Sequence, residues 1–84
     1  MINKEILKRQ IIYRATHRGT KEMDILLGNF VQKYIEKFND NELQDLEKLL
    51  FIEDEIIYNW YFKKNSNTSV PNTKVSLMLK NFKL

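Results

Sequence analysis

Thr20-Lys21-Glu22-Met23-Asp24-Ile25-Leu26-Leu27-Gly28-Asn29-Phe30-Val31-Gln32-Lys33-Tyr34-Ile35-Glu36-Lys37-Phe38 is the stretch that decides how this chain folds. Met23, Leu26, Leu27, Phe30, Val31, Tyr34, Ile35 and Phe38 recur at steps of three and four, which places them on one face of a helix. Glu22 and Asp24 lie in its first turn, where the helix dipole favours negative charge. The spacing predicts one helix from about Thr20 to Phe38. Gly28 falls inside it and costs about 1 kcal/mol relative to alanine, so another helix is expected to pack closely there.

The same pattern extends outward in both directions. Upstream, Ile6, Leu7, Ile11 and Ile12 are the expected apolar side of a helix over Asn3 to Ala15, flanked by Lys4, Lys8, Arg9 and Arg14. Thr16-His17-Arg18-Gly19 breaks that helix, and Gly19 is read as a turn residue using backbone angles closed to other residues. Downstream, Asn39 to Glu42 reads as a capping box, followed by a leucine stripe at Leu43, Leu46, Leu49 and Leu50. Glu53-Asp54-Glu55 opens a fourth helix with Ile56, Ile57, Trp60 and Tyr61 on its apolar face. Residues 63–73 form a polar Asn/Ser-rich loop closed by Pro71. A fifth helix is expected from Thr73 to Lys83, carrying Val75, Met78, Leu79 and Phe82. The expected fold is all-α: a compact five-helix bundle, one domain over residues 1–84.

Composition narrows the function. A chain of 84 residues makes one small domain with a modest core and little room for a large cofactor. The absence of cysteine excludes disulfides, thiolate nucleophiles and cysteine-ligated metals. No export signal is evident, and no apolar run is long enough to span a bilayer. Charge is unevenly spread. Residues 1–24 carry six basic and three acidic side chains, residues 25–62 three and eight, and residues 63–84 five and none. The segment charges of +3, −5 and +5 sum to the net +3. Such asymmetry fits a partner of complementary charge, or a basic tail.

A search for catalytic chemistry assembles nothing. His17 is the single histidine and lacks a metal-binding companion. Gly19 and Gly28 are isolated, so no phosphate-binding loop is present. Glu42, Asp45, Glu47 and Glu53 read as the solvated outer side of helices three and four. Trp60 reads as a core anchor. Lys4, Lys8 and Arg14 give the first helix a basic cast, but charge without a recognition motif does not define a nucleic-acid site. The densest polar cluster is the turn itself. Arg18 and Glu22 fit two readings: docking on a partner through charge-assisted hydrogen bonds, or an internal ion pair that fixes the turn.

Arg18-Gly19-Thr20-Lys21-Glu22, with Met23-Asp24 after it, then Leu26-Leu27-Gly28-Asn29-Phe30, the capped third helix and the acidic start of the fourth helix ending in Asn59-Trp60, together resemble the SdhE family, also called the succinate dehydrogenase assembly factor 2 family. The likeness covers roughly residues 9–62. It implies a five-helix bundle without catalytic residues of its own. Such a protein binds the flavoprotein subunit of succinate dehydrogenase, or of fumarate reductase, and favours covalent attachment of that subunit's FAD. On the resemblance, Arg18, Gly19 and Glu22 form the partner-binding centre, with Asp24 and His17 beside it. No cofactor is expected to be held stably by this chain; it acts on the FAD of its partner. Neither nucleic acid nor membrane is an expected partner. A monomer in the bacterial cytoplasm is expected. The resemblance also permits an antitoxin-like regulatory role.

Overall fold

The computed structural model describes residues 3–63 and 70–83. Five helices follow in order: α1 Lys4–Thr16, α2 Lys21–Tyr34, α3 Asp40–Leu50, α4 Asp54–Phe62 and α5 Lys74–Asn81. A 3-10 turn, Ile35–Lys37, continues α2. No strand occurs among the described residues.

Four of the five helices start where the sequence supplies a capping side chain. The Asn3 side chain accepts from the Glu5 and Ile6 amides, Thr20 from Met23, and Thr73 from Ser76. At α3 the box closes in both directions. Asn39 Oδ1 accepts from the Glu42 amide at 2.8 Å, and Glu42 Oε1 accepts from the Asn39 amide at 2.9 Å. Each such cap satisfies amides that the helix leaves free and contributes about 1 kcal/mol. Glu53 caps α4 without a side-chain bond, leaving the acids of its first turn to the dipole.

One core unites the elements. Met23, Leu26, Leu27, Phe30 and Val31 of α2 are fully buried, with Ile11 of α1, Leu43 and Leu46 of α3, Ile57 of α4, and Val75 and Leu79 of α5. Burying a side chain of this size stabilises by about 1.5–3 kcal/mol. Trp60 is buried in the same cluster, as expected of a core anchor. Phe30 meets Tyr34, Phe38 and Phe82 with ring centroids 5.1, 6.3 and 5.4 Å away, and this aromatic group ties the end of α5 to α2.

Several expectations need correction. The long second helix is an α-helix only to Tyr34; it tightens into the 3-10 turn, and Phe38 turns back into the core in extended conformation. On α1, Leu7 and Ile11 are buried, but Ile6 and Ile12 are exposed, and Lys8 and Ala15 complete the inner face. Adjacent residues differ by about 100° around a helix, so the inner arc of α1 takes in Leu7, Lys8, Ile11 and Ala15 and leaves Ile6 and Ile12 outside it. Lys8 reaches from this face to Glu36 Oε2 at 2.8 Å, and that hydrogen bond raises its pKa although burial opposes the shift. The middle acids are not uniformly solvated: Glu42 is enclosed in its capping box and Asp45 and Glu47 are half-buried, while Glu53 is exposed. The fifth helix ends at Asn81, one turn's fraction short of the expected Lys83. Most of the expected polar loop, residues 64–69, lies outside the described residues.

Candidate functional site

The turn between α1 and α2 is where the sequence placed its densest polar cluster, and the fold gives it a single organising residue. Arg18 is only 9% exposed at its side chain. Its guanidinium meets Asp54 Oδ1 through Nε at 2.7 Å and Nη2 at 2.6 Å. Nη1 donates to the Leu50 carbonyl at 2.7 Å, and Nη2 to the Ile52 carbonyl at 3.0 Å. A planar fork of donors is what allows one side chain to hold a carboxylate and two carbonyls together. Arg18 therefore ties the α1–α2 turn to the α3–α4 junction. Of the two readings of Arg18 and Glu22, the internal pair is not formed: Arg18 pairs with Asp54 instead.

Gly19 completes this lock. Its amide donates to Asp54 Oδ2 at 2.8 Å, so both oxygens of one carboxylate are engaged. The φ of Gly19 lies outside the left-handed region, which corrects the expectation of a special backbone angle. Its requirement is one of space: a Cβ here would sit 3.2 Å from Asp54 Oδ2. Asp24 closes the other side of the turn by accepting from the Arg18 amide at 2.5 Å. His17 is exposed. Its Nδ1 lies 2.8 Å from the Tyr13 carbonyl, a geometry that assigns the proton to Nδ1, and its ring stacks on Tyr13 with centroids 3.9 Å apart.

Glu22 stands apart from these internal contacts. It is exposed and forms no ion pair among the described residues. It lines a shallow groove of about 480 Å³ with Gly19, Thr20, Met23, Asp54, Glu55 and Tyr58. The groove is largely apolar within and carries carboxylates on its rim. The sequence-predicted residues thus divide. Arg18, Gly19 and Asp24 meet at the turn, His17 lies on the outer side of α1, and Glu22 faces the groove. Asp54 is the member that sequence reading missed. It was legible only as an acid at a helix start, and its partner lies 36 residues away. Tyr58 lines the groove with Glu22, 36 residues earlier in the chain, and no local pattern in the sequence places the two together.

The fold and this site define a small helical-bundle protein in which a buried arginine lock supports an exposed, acid-rimmed groove. The family model described as "Flavinator of succinate dehydrogenase" matches residues 9–83. The chain belongs to that family. It is 38% identical over 68 residues to the mitochondrial succinate dehydrogenase assembly factor 2 of Scheffersomyces stipitis, covering 81% of this chain and 46% of that relative. It is 36% identical over 73 residues to the FAD assembly factor SdhE of Acetobacter pasteurianus, covering 87% and 64%. A third relative, the mitochondrial assembly factor 2 of Dictyostelium discoideum, is 38% identical over 68 residues, covering 75% and 48%. The chain thus spans between 46% and 64% of these relatives' lengths. No solved structure matches it.

Proposed function

We propose that this protein binds the flavoprotein subunit of succinate dehydrogenase, and of fumarate reductase where present, and promotes covalent attachment of its FAD without catalysing the step itself. The observation that carries the reading is the family match across residues 9–83, which contains the Arg18-Gly19-x-x-Glu22 turn. The names of the relatives support assembly over the regulatory alternative. In this reading Glu22 contacts the partner, while Arg18, Gly19 and Asp24 hold the turn so that Glu22 stands on the groove rim.

The mechanism is one of stabilised geometry. Docking favours the conformation of the flavoprotein in which its own histidine and flavin react, and a partner shifts that population only by its preference for that conformation. FAD belongs to the client. The carboxylates Glu22 and Glu55 on the groove rim would repel a pyrophosphate, which supports a protein surface as the occupant. The protein acts as a monomer in the bacterial cytoplasm in this reading, and the Acetobacter relative supports a bacterial setting. No described helix is long and apolar enough to cross a membrane.

The test is co-expression with the flavoprotein subunit of succinate dehydrogenase, read by covalent flavin fluorescence on a denaturing gel. More covalent flavin with the wild type, lost in Glu22→Ala while circular dichroism stays unchanged, supports the proposal. Equal flavinylation with and without the protein refutes it.

A further inference from the structure

Arg18 does more than close a turn, because of what lies between the two carbonyls it holds. Leu50 and Ile52 flank Phe51. Their carbonyls are drawn to the guanidinium, at 2.7 and 3.0 Å. Leu50 is buried and Ile52 packs against the core, so the residue between them is turned outward. Phe51 is 61% exposed and Tyr13 is 62% exposed, the highest values for large hydrophobic side chains among the described residues.

These two rings are not bare. The Arg14 guanidinium lies 4.1 Å above the Phe51 ring, and the His17 imidazole covers one face of Tyr13. Arg9, Gln10, Tyr13 and Arg14 line a depression of about 360 Å³ on the same helix. Among the described residues, no carboxylate pairs with Arg9 or Arg14. A guanidinium stacked on a ring is held in place, yet its N–H edge remains free for a bidentate carboxylate. Tyrosine, phenylalanine and arginine are also the residues that protein interfaces enrich.

We propose that the outer face of α1 (Arg9, Tyr13, Arg14 and His17), together with Phe51, is a second docking surface, one that takes an acidic segment of the flavoprotein partner. The inference rests on the docking function proposed above and adds to it a surface of opposite sign to the Glu22 groove. Arg18 is its positioning residue, since the lock that orders the turn also presents Phe51. Two faces of opposite charge, one at each side of the turn, orient a partner that carries the complementary pair. A nucleic-acid backbone offers a single sign and would be repelled by Glu22 and Glu55, in the first turns of α2 and α4.

The experiment places photo-reactive benzoylphenylalanine singly at Tyr13, Phe51, Glu22 and, as a control on α5, Leu77. Each protein is irradiated with the flavoprotein subunit of succinate dehydrogenase. Cross-links from positions 13 and 51 but not from 77 are expected. Arg9→Glu and Arg14→Glu, each checked by circular dichroism for an unchanged fold, should weaken the affinity roughly tenfold. That loss should shrink as salt rises above about 150 mM. Cross-links from position 22 with positions 13 and 51 silent would overturn the second surface and leave the assembly function standing. The absence of any complex with the wild type would overturn both. Salt-sensitive binding of duplex RNA abolished by Arg14→Glu, with unchanged flavoprotein affinity, would assign the surface to nucleic acid and overturn the proposal.

Discussion

Replacing Arg18 with alanine should be the most damaging change at the turn, and the structure sets its size. The substitution leaves the Asp54 carboxylate without its cation and strips the Leu50 and Ile52 carbonyls of their donors. Breaking a fully buried ion pair costs roughly 3–5 kcal/mol, but the Asp54 side chain is 22% exposed and regains some hydration. Each lost hydrogen bond adds about 1 kcal/mol where water does not replace it. Water reaches part of this site, so the expected loss is about 3 kcal/mol in all. In a domain of this size that lowers the thermal midpoint by about 12–24 °C. Arg18→Lys keeps the charge but cannot reach a carboxylate and two carbonyls at once, and should lose about half as much. Urea unfolding followed by circular dichroism at 222 nm measures both. A double-mutant cycle with Asp54→Asn should return a coupling of at least about 1 kcal/mol. A loss below about 1 kcal/mol in Arg18→Ala, with no coupling to Asp54, would refute the lock and mark Arg18 as a residue kept for the partner alone.

Three further outcomes follow from the geometry. Gly19→Ala should cost about 0.5–1 kcal/mol by urea unfolding, because its Cβ would press on Oδ2 of an Asp54 carboxylate whose other oxygen Arg18 holds in place; in an Arg18→Ala background, where that carboxylate is free to move, the cost should fall. Gly28→Ala should stabilise by about 0.5–1 kcal/mol in the same assay, since the added methyl would meet Thr16 Cγ2 at 3.5 Å, an ordinary contact. Glu42 is held below its ordinary pKa of 4.5, chiefly by the Asn39 amide and then by Lys74. A carboxyl lowered in the folded state binds protons more readily when unfolded, so its stabilisation is present above pH 4.5 and is lost as the pH falls through the folded value. Unfolding titrations between neutral and acid pH should show this loss, and Glu42→Gln should reduce it.

The sequence by itself determined the elements of this protein. Five apolar stripes, the box at Asn39 and Glu42 and the caps at Asn3, Thr20 and Thr73 are local signals, made by residues within one or two turns of each other. They fix where a helix begins and which face it buries, and the ordered motifs from Arg18 to Trp60 were enough to identify the family. Local signals failed where two stripes competed: Ile6 and Ile12 are as apolar as Leu7 and Ile11, and only packing against α2 and α3 selects the inner pair.

The roles within the site were decided by tertiary structure alone. Arg18 and Glu22 are four residues apart and look like an ion pair, yet Asp54, 36 residues from Arg18, takes the arginine. Helix spacing fixes which neighbours are near, but a charge chooses among all carboxylates the fold brings within reach, and the one that satisfies both the guanidinium and the Gly19 amide prevails. Asp54 also leaves little room for a Cβ at position 19, 3.2 Å from its Oδ2, and Arg18 holds the carbonyls on either side of the exposed Phe51: each is a long-range approach of backbone and side chain, and no periodicity in the chain encodes such an approach.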